Sequence, residues 1–432
     1  MKKTIIRSLS AIEALSDENA AAVLVSVTTE AGITEQAIYG EGLRFGEYYN
    51  NSLLDEDINR YHGKGMKKAV EIINKYVAPA LIGMDADNQS EINKTIVETL
   101  NRNNIPCYVN ITSPVSFATM KSAAASLGIP LFRYVGGARA YKVPLPEWPC
   151  ASGGNRYSDN LTSKGRPYYA FVPYNFETFE DAYYSLWVMF VTWIKVVKDH
   201  NLKFNNVTFS FYKGSVKNDE EILYLMDEAI ELAGYKGKMG IHVDYCASAF
   251  YDASNNTYSG LISESDMNKA ELLNYHLDTI ERHPNIVFIE EPFEANDLNS
   301  YQQLTEKSDI QIGSSDIYGN DFDRLEEILS SHCINSVGIR PHSFLTFADC
   351  INVSMTASKH NVSTFVVGIN GEDYDAIDFA TGLHSGLVYM SNPFNHSSRM
   401  VHINDEIGPQ STYVGTTGLN GKRFNLKKEE TK

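Results

Sequence analysis

Cysteine is scarce in this chain: 5 in 432 residues (Cys107, Cys150, Cys246, Cys333, Cys350), with no Cys-x-x-Cys pair. That excludes a disulfide scaffold and a thiolate zinc site, and it suits free thiols in a reducing compartment. Long apolar runs are missing too. None reaches the roughly 20 residues that a membrane span needs, and Met1 to Ser16 lacks the long apolar core of a secretory signal. A cytoplasmic protein is expected, in which Asn-x-Ser/Thr triplets such as Asn110-Ile111-Thr112 carry no meaning. Positive charge is also in deficit: 37 Lys and Arg stand against 54 Asp and Glu, a net charge of −17. A general nucleic-acid or anionic-membrane binder is thereby excluded, although an acidic protein can still hold an anion where its cationic residues gather in a pocket. No internal repeat and no low-complexity segment is present. What remains is ordinary for a globular protein, 43% hydrophobic and 21% charged, and long enough for two domains with a sizeable core.

Against that background one pattern stands out, a ladder of short apolar runs that each close on a polar residue. Gly240-Ile241-His242-Val243 closes on Asp244, and Ile286-Val287-Phe288-Ile289 on Glu290. Ile310-Gln311-Ile312 leads to Ser315-Asp316, and Val337-Gly338-Ile339 closes on Arg340. Asp244 and Glu290 are 46 positions apart, Glu290 and Ser315 are 25, and Ser315 and Arg340 are 25. A 25-residue step is one strand plus one crossover helix; the 46-residue step holds such a unit and an insertion. In (β/α)8 barrels the chemistry sits at the carboxyl ends of the strands. Strand ends carrying Asp, Glu, Asp and Arg therefore predict one pocket with metal or acid–base character, although polar strand ends are also common without function.

The rest of the chain divides around that ladder. Residues 20–40 are β-branched and read as strand. Residues 42–62 are rich in Gly, Tyr and Asn and read as a long, mobile loop. Residues 65–78 place Met66, Val70, Ile73 and Val77 on one helical stripe. Residues 113–128 predict a second helix with Gly128 as its C-cap. Pro144, Pro146 and Pro149 mark a break in texture, beyond which strands alternate with helices to about residue 405. Asp219 to Leu232 predicts an amphipathic helix stopped by Gly234. The tail, Lys422 to Lys432, is polar and predicted to fray.

Several stretches then match a known family in order and spacing across nearly the whole chain. They are Arg60-Tyr61-His62-Gly63-Lys64-Gly65, Ala78-Pro79-Ala80-Leu81-Ile82-Gly83, Gly128-Ile129-Pro130-Leu131-Phe132-Arg133-Tyr134-Val135-Gly136-Gly137 and Asp244-Tyr245-Cys246-Ala247-Ser248-Ala249-Phe250-Tyr251. Ile289-Glu290-Glu291-Pro292-Phe293, followed by Asn296-Asp297 and Leu304-Thr305-Glu306-Lys307, completes the set. The chain resembles enolase. The resemblance implies an α/β fold: an N-terminal α+β capping domain over residues 1–140, a modified (β/α)8 TIM barrel over 141–420, and a polar tail over 421–432. It also implies a homodimer and a small anionic substrate.

Enolase chemistry removes a proton next to a carboxylate and stabilises the resulting enolate. Mg²⁺ acts there as a Lewis acid on hard carboxylate ligands, a lysine serves as base, and a glutamate assists departure of hydroxide. The resemblance places Asp244 and Glu290 as the first two metal ligands. The family's third is the first of two consecutive aspartates; here the pair reads Ser315-Asp316. Asp316 can substitute only if the strand end twists, because neighbouring side chains point to opposite faces, and the Ser315 hydroxyl is a weaker, neutral ligand.

The catalytic groups are mostly exchanged. The base lysine aligns with Arg340, which cannot deprotonate at neutral pH. The acid glutamate, expected on the second barrel strand, aligns with Phe209, and the run Val207 to Lys213 has no carboxylate at all. Gly42-Leu43-Arg44-Phe45-Gly46 stands in place of the lid motif, and Arg156 in place of the lid histidine. Gly368-Ile369-Asn370 replaces the phosphate-gripping triplet, Tyr389 a lysine near the last strand, and Tyr168, Tyr169 or Ala170 a further glutamate. Three readings follow. The first is a retooled enzyme of lyase or isomerase type, working through an enolate on a carboxylated or phosphorylated acid. Arg44, Arg156 and Arg340 would hold the substrate and His342, Lys213 or Tyr389 would move the proton. The second is a non-catalytic relative in which the arginines pair with Asp244 and Glu290. An ordinary phosphopyruvate hydratase is the third, and least compatible with these exchanges. His342 also reads as a loop histidine that packs or caps, and Lys213 as a solvated loop lysine.

Overall fold

The computed structural model describes residues 2–16, 20–40, 48–49, 51–153, 157, 167–205, 209–368, 373–390 and 393–424. Arg44 and Arg156 lie outside the described residues, as do Ile369, Asn370 and the tail beyond residue 424.

The chain opens with an antiparallel sheet of three strands, β1 (Ile6–Leu15), β2 (Ala21–Thr29) and β3 (Thr34–Gly40). The predicted stripe holds on a helical stretch from Lys67 to Leu81, whose middle turn, Ile73–Val77, has π pitch: Ile73, Val77 and the N-cap residue Met66 are fully buried and Val70 is partly buried. Two longer helices follow, α1 (Gln89–Arg102) and α2 (Val109–Leu127). The second begins four residues before the predicted start. Ser113-Pro114 has the look of a helix start, since proline favours the first turn, yet the helix runs through it. Its backbone is buried almost all round: Ser122 donates to the Val27 carbonyl at 3.0 Å on one side and Phe117 packs on His342 at 5.1 Å on the other. Gly128 ends it in the left-handed region, at φ +69°, where a side chain would be strained.

Eight strands then close into a barrel. They are β4 (Leu145–Ser152), β5 (Tyr168–Val172), β6 (Gly240–Asp244), β7 (Ile286–Glu290), β8 (Gln311–Ser314), β9 (Ser336–Ile339), β10 (Ser363–Gly368) and β11 (Leu387–Met390). Neighbours in sequence are neighbours in space, and β11 returns to pair with β4. β5 runs antiparallel to both β4 and β6, and the remaining pairs are parallel. That is the departure from regular alternation that the resemblance implies. The Pro-rich stretch read as a break in texture is itself the first barrel strand. Pro149 is tolerated where the pairing with β5 shifts register, since proline has no N–H to give a ladder. Ser210–Phe211 corrects a second expectation. This short strand pairs with the end of β4 at Ser152 and lies outside the ring, so Phe209 is not on the second barrel strand; Tyr168–Val172 is.

The amphipathic helices α3 (Phe179–Asp199) and α4 (Asp219–Leu232) cover the barrel, the latter with the predicted bounds. Inside, the Phe288 ring packs edge-on to Phe365 at 5.0 Å and stacks on His242 at 4.0 Å. The start of the tail is anchored rather than frayed. Arg423 donates to the Asp309 carboxylate at 2.8 Å and to the Pro284 carbonyl at 2.8 Å, and Phe424 is buried.

Candidate active site at the barrel mouth

Parallel register sets the strand ends side by side. Glu290 pairs with Asp244 on one flank and with Gly313 on the other, so the ends of β6, β7 and β8 lie at one level. Side chains two apart on a strand share a face. His242 and Asp244 therefore both point into the barrel, while Tyr245 turns into its wall.

Arg340, just past β9, sits among these ends. Its Nε donates to the Ser315 hydroxyl at 2.7 Å, and its Nη2 lies 3.9 Å from Glu290 Oε1. Burial pushes the Asp316 carboxyl well above the usual range, Glu291 adds to this, and Arg340 opposes it. Burial and the neighbouring Glu290 and Glu291 raise Asp244 in the same way. Burial holds Glu290 up at about 7 despite His242. Five of the residues singled out from sequence, Asp244, Glu290, Ser315, Asp316 and Arg340, thus converge.

The serine–aspartate turn takes its shape from a residue that sequence reasoning left without a role. Glu291 sits in the left-handed region at φ +48°. Its Oε1 accepts from the backbone N–H groups of Ser315 (2.6 Å) and Asp316 (2.9 Å), and from the Ser315 hydroxyl (3.1 Å). Its Oε2 accepts from Tyr301 (3.2 Å) and from the Ser314 hydroxyl. Ser315 and Asp316 can both address Arg340 because this clamp turns the chain immediately after β8.

Deeper in the barrel lies a buried carboxylate–imidazole–carboxylate line. His242 Nδ1 is 2.6 Å from Glu147 Oε2, and its Nε2 is 3.4 Å from Glu290 Oε2. Burial works against the imidazolium, but Glu147 and Glu290 outweigh it and bring His242 up to about 10. Tyr168 reaches Glu147 at 3.4 Å, and Tyr389 packs against Tyr168 at 4.6 Å between ring centres. Tyr389 therefore belongs to this interior layer. His242 was legible in principle, being on the Asp244 face of a strand already identified.

The loop before residue 62 is docked where it is described. Tyr49 donates to Asp316, Tyr48 donates to Asn296, and the Arg324 guanidinium stacks on the Tyr48 ring at 4.0 Å. A Cβ at Gly319 would meet the Tyr48 backbone at 2.5 Å, so only glycine admits this approach.

His342 and Lys213 lie elsewhere. Lys213 is exposed beyond Phe211. His342 is buried on Phe117, and burial holds its imidazole down at about 4. Its folded value lies below the unfolded one, so His342 is neutral in the fold and its contribution is lost as pH falls. Between pH 6.5 and 4 this group alone withdraws about 3 kcal/mol. His342→Phe is expected to flatten urea-measured stability over that window; an unchanged acid limb would remove His342 as its source.

A cation would suit the carboxylates gathered here. Glu290 Oε1 is buried without a hydrogen-bond donor. Mg²⁺ characteristically takes one or two carboxylates and keeps water or substrate oxygens for the rest, which Asp244 and Glu290 can supply. Among the described residues no three acidic, histidine or cysteine side chains are grouped closely enough to hold a metal alone. Asp316 is engaged by Tyr49 and Ser315 by Arg340.

Comparison with known proteins identifies the family of this fold. Residues 6–135 match the family model of the enolase N-terminal domain, and residues 140–421 that of the enolase C-terminal TIM barrel domain. Among curated proteins, the "Enolase" of Anaplasma phagocytophilum (strain HZ) is 27% identical over 423 residues, 96% of each chain. The "Enolase" of Ehrlichia canis (strain Jake) is 28% identical over 362 residues, 82% of this chain and 83% of that protein. Two domain models in tandem over a closed eight-stranded barrel place this chain in the enolase family.

Proposed function

We propose that this chain is an enolase-family enzyme with a rebuilt mouth, acting on a small carboxylated or phosphorylated acid through an enolate-type anion, and not on 2-phosphoglycerate. The observation that carries the reading is Arg340, a permanent cation held among Glu290, Ser315 and Asp316 where the family's base lysine would stand. A guanidinium cannot take a proton, but its fork suits a substrate carboxylate or phosphoryl group. Asp244 and Glu290 would hold Mg²⁺, which when bound supplies Lewis-acid stabilisation of the anion. Proton movement falls to a buried carboxyl. Asp316 is the strongest candidate, because it lies beside Arg340 and burial and Glu291 raise it well above the usual carboxylate range. His342 and Lys213 are poorly placed for that task, and Tyr389 sits one layer below. Arg44 and Arg156 remain proposed substrate contacts.

A second reading, a non-catalytic relative, is favoured by one feature: Arg340 already has internal partners, as in a self-neutralised network. Thermal shift with Mg²⁺ and a panel of phosphorylated and carboxylated acids separates the two, since a ligand that binds only the folded state raises the midpoint. A rise with Mg²⁺ plus one acid, larger than with either alone, is expected. No shift with any compound leaves the non-catalytic reading. Turnover of 2-phosphoglycerate with Mg²⁺ at about 1 s⁻¹ or faster would instead restore the ordinary activity.

A further inference from the structure

A second cavity, of about 840 Å³, opens at the other end of the barrel. Ser363 and Thr364, which begin β10, and Gly386, which precedes β11, line it. Asp244, Glu290 and Arg340 stand at the opposite ends of their strands. The barrel interior, filled by residues such as Phe288 and Phe365, separates the two mouths.

The lining runs against the charge of the chain. It holds Arg139, Lys142, Lys359 and His384 and no aspartate or glutamate, in a protein of net charge −17. Lys359 is partly spoken for, 2.8 Å from Glu326. Arg139 and Lys142 are exposed, and among the described residues neither side chain meets an acidic partner. Arg139, Lys142 and His384 come from three places, a turn at Gly137–Arg139, the short strand Lys142–Val143 and the turn after Leu383. They are nonetheless close: burial, then Arg139 and Lys142, push the His384 imidazole down. Cations gathered from separate elements without counter-charge repel one another, and a multiply charged anion relieves that repulsion. Serine and threonine hydroxyls share the rest of the wall with Asn361, Asn420 and a few apolar side chains such as Met355 and Val414, and Thr364 and Ser385 are paired at 2.9 Å. Ser354, Ser363 and Thr417 donate to protein acceptors, which leaves Ser358 and the Thr364–Ser385 pair to face a ligand; hydroxyl donors beside an arginine suit a phosphoryl group, which has more acceptor oxygens than a carboxylate. A cavity of several hundred Å³ has room for more than a single ion.

We propose that this cavity binds a small phosphorylated molecule, with its phosphoryl group between Arg139, Lys142 and His384 and its remainder over Thr364 and Ser385. The site is distinct from the mouth that carries Arg340. Calorimetric titration of the full chain with pyrophosphate tests it, with malonate as a dicarboxylate comparison. The variants are Arg139→Ala/Lys142→Ala, both at exposed positions, and Arg340→Lys at the other mouth. Pyrophosphate is expected to bind the native protein, to bind the double variant at least about tenfold more weakly, and to retain in Arg340→Lys the binding that depends on Arg139 and Lys142. Malonate is expected to bind at least about tenfold more weakly than pyrophosphate. The proposal is overturned by no binding at ~10 mM pyrophosphate, by equal affinity for the double variant, by a loss that follows Arg340→Lys instead, or by malonate binding as tightly.

Discussion

Arg340→Ala is expected to unfold at markedly lower urea, losing about 3–5 kcal/mol at neutral pH, the range for removing one partner from a buried ion pair. The side chain is 12% exposed and faces Glu290, Ser315 and Asp316. Alanine leaves the carboxylates in place and takes away the cation that opposes their mutual repulsion. Asp244, Glu290 and Asp316 are all pushed above the usual carboxyl range in the fold even with Arg340 present. A group raised on folding contributes its stability at low pH and loses it as pH climbs through the folded value. Without Arg340 those values rise further, so the deficit should widen between pH 5 and 8 and shrink toward acid. Arg340→Lys keeps the charge but loses the fork, and should fall between the two. The same alanine variant should lose turnover of the true substrate. A urea midpoint equal to that of the native protein at pH 7.5 would show that Arg340 balances nothing.

Much of this architecture is written in local pattern. Asp244, Glu290 and Arg340 were legible because each closes an apolar run at a repeat-length step, and strand ends of a parallel barrel meet at one mouth. Family motifs placed the capping domain, and the 3.6-residue stripe bounded the helix Asp219–Leu232. The unread part is long-range. Glu147 was hidden by prolines that mark loops in most sequences, and it became visible only once Leu145–Ser152 paired as a strand. Tyr49 looked like one aromatic in a polar loop, since nothing local says that it will reach Asp316. Lys213 and His342 drew notice by nearness in sequence to strand ends, but nearness along the chain does not fix direction. His342 turns onto Phe117 of the capping domain, and Lys213 follows a strand outside the ring.

Asp219, which the sequence offers only as the first residue of a helix, carries the second large prediction. An aspartate opening a helix is ordinary, since it complements the positive end of the helix dipole from solvent. Here the residue is fully buried, and Asn218 does the capping by accepting from the Glu221 N–H at 3.1 Å. The Asp219 carboxylate instead accepts from tyrosine hydroxyls: Tyr275 at 2.8 Å, Tyr245 at 3.0 Å, Tyr157 at 3.5 Å, and Tyr169. These rings come from the covering helix Lys269–Arg282, the turn after β6, the loop after β4 and the strand β5. One carboxylate thus ties together the elements that surround Asp244, whose neighbour Tyr245 it holds. Asp219→Ala would strand buried phenol hydroxyls, each worth about 1–3 kcal/mol when left unpaired. Because they share one acceptor the losses will not add, and a total of about 3–5 kcal/mol is expected, within the range of the largest single-site effects. Asp219→Asn keeps one acceptor oxygen and the shape, so it should lose about half as much. Urea unfolding of the two variants decides the matter: if alanine is tolerated as well as asparagine, the hydroxyls have other acceptors and the carboxylate is not what joins these elements.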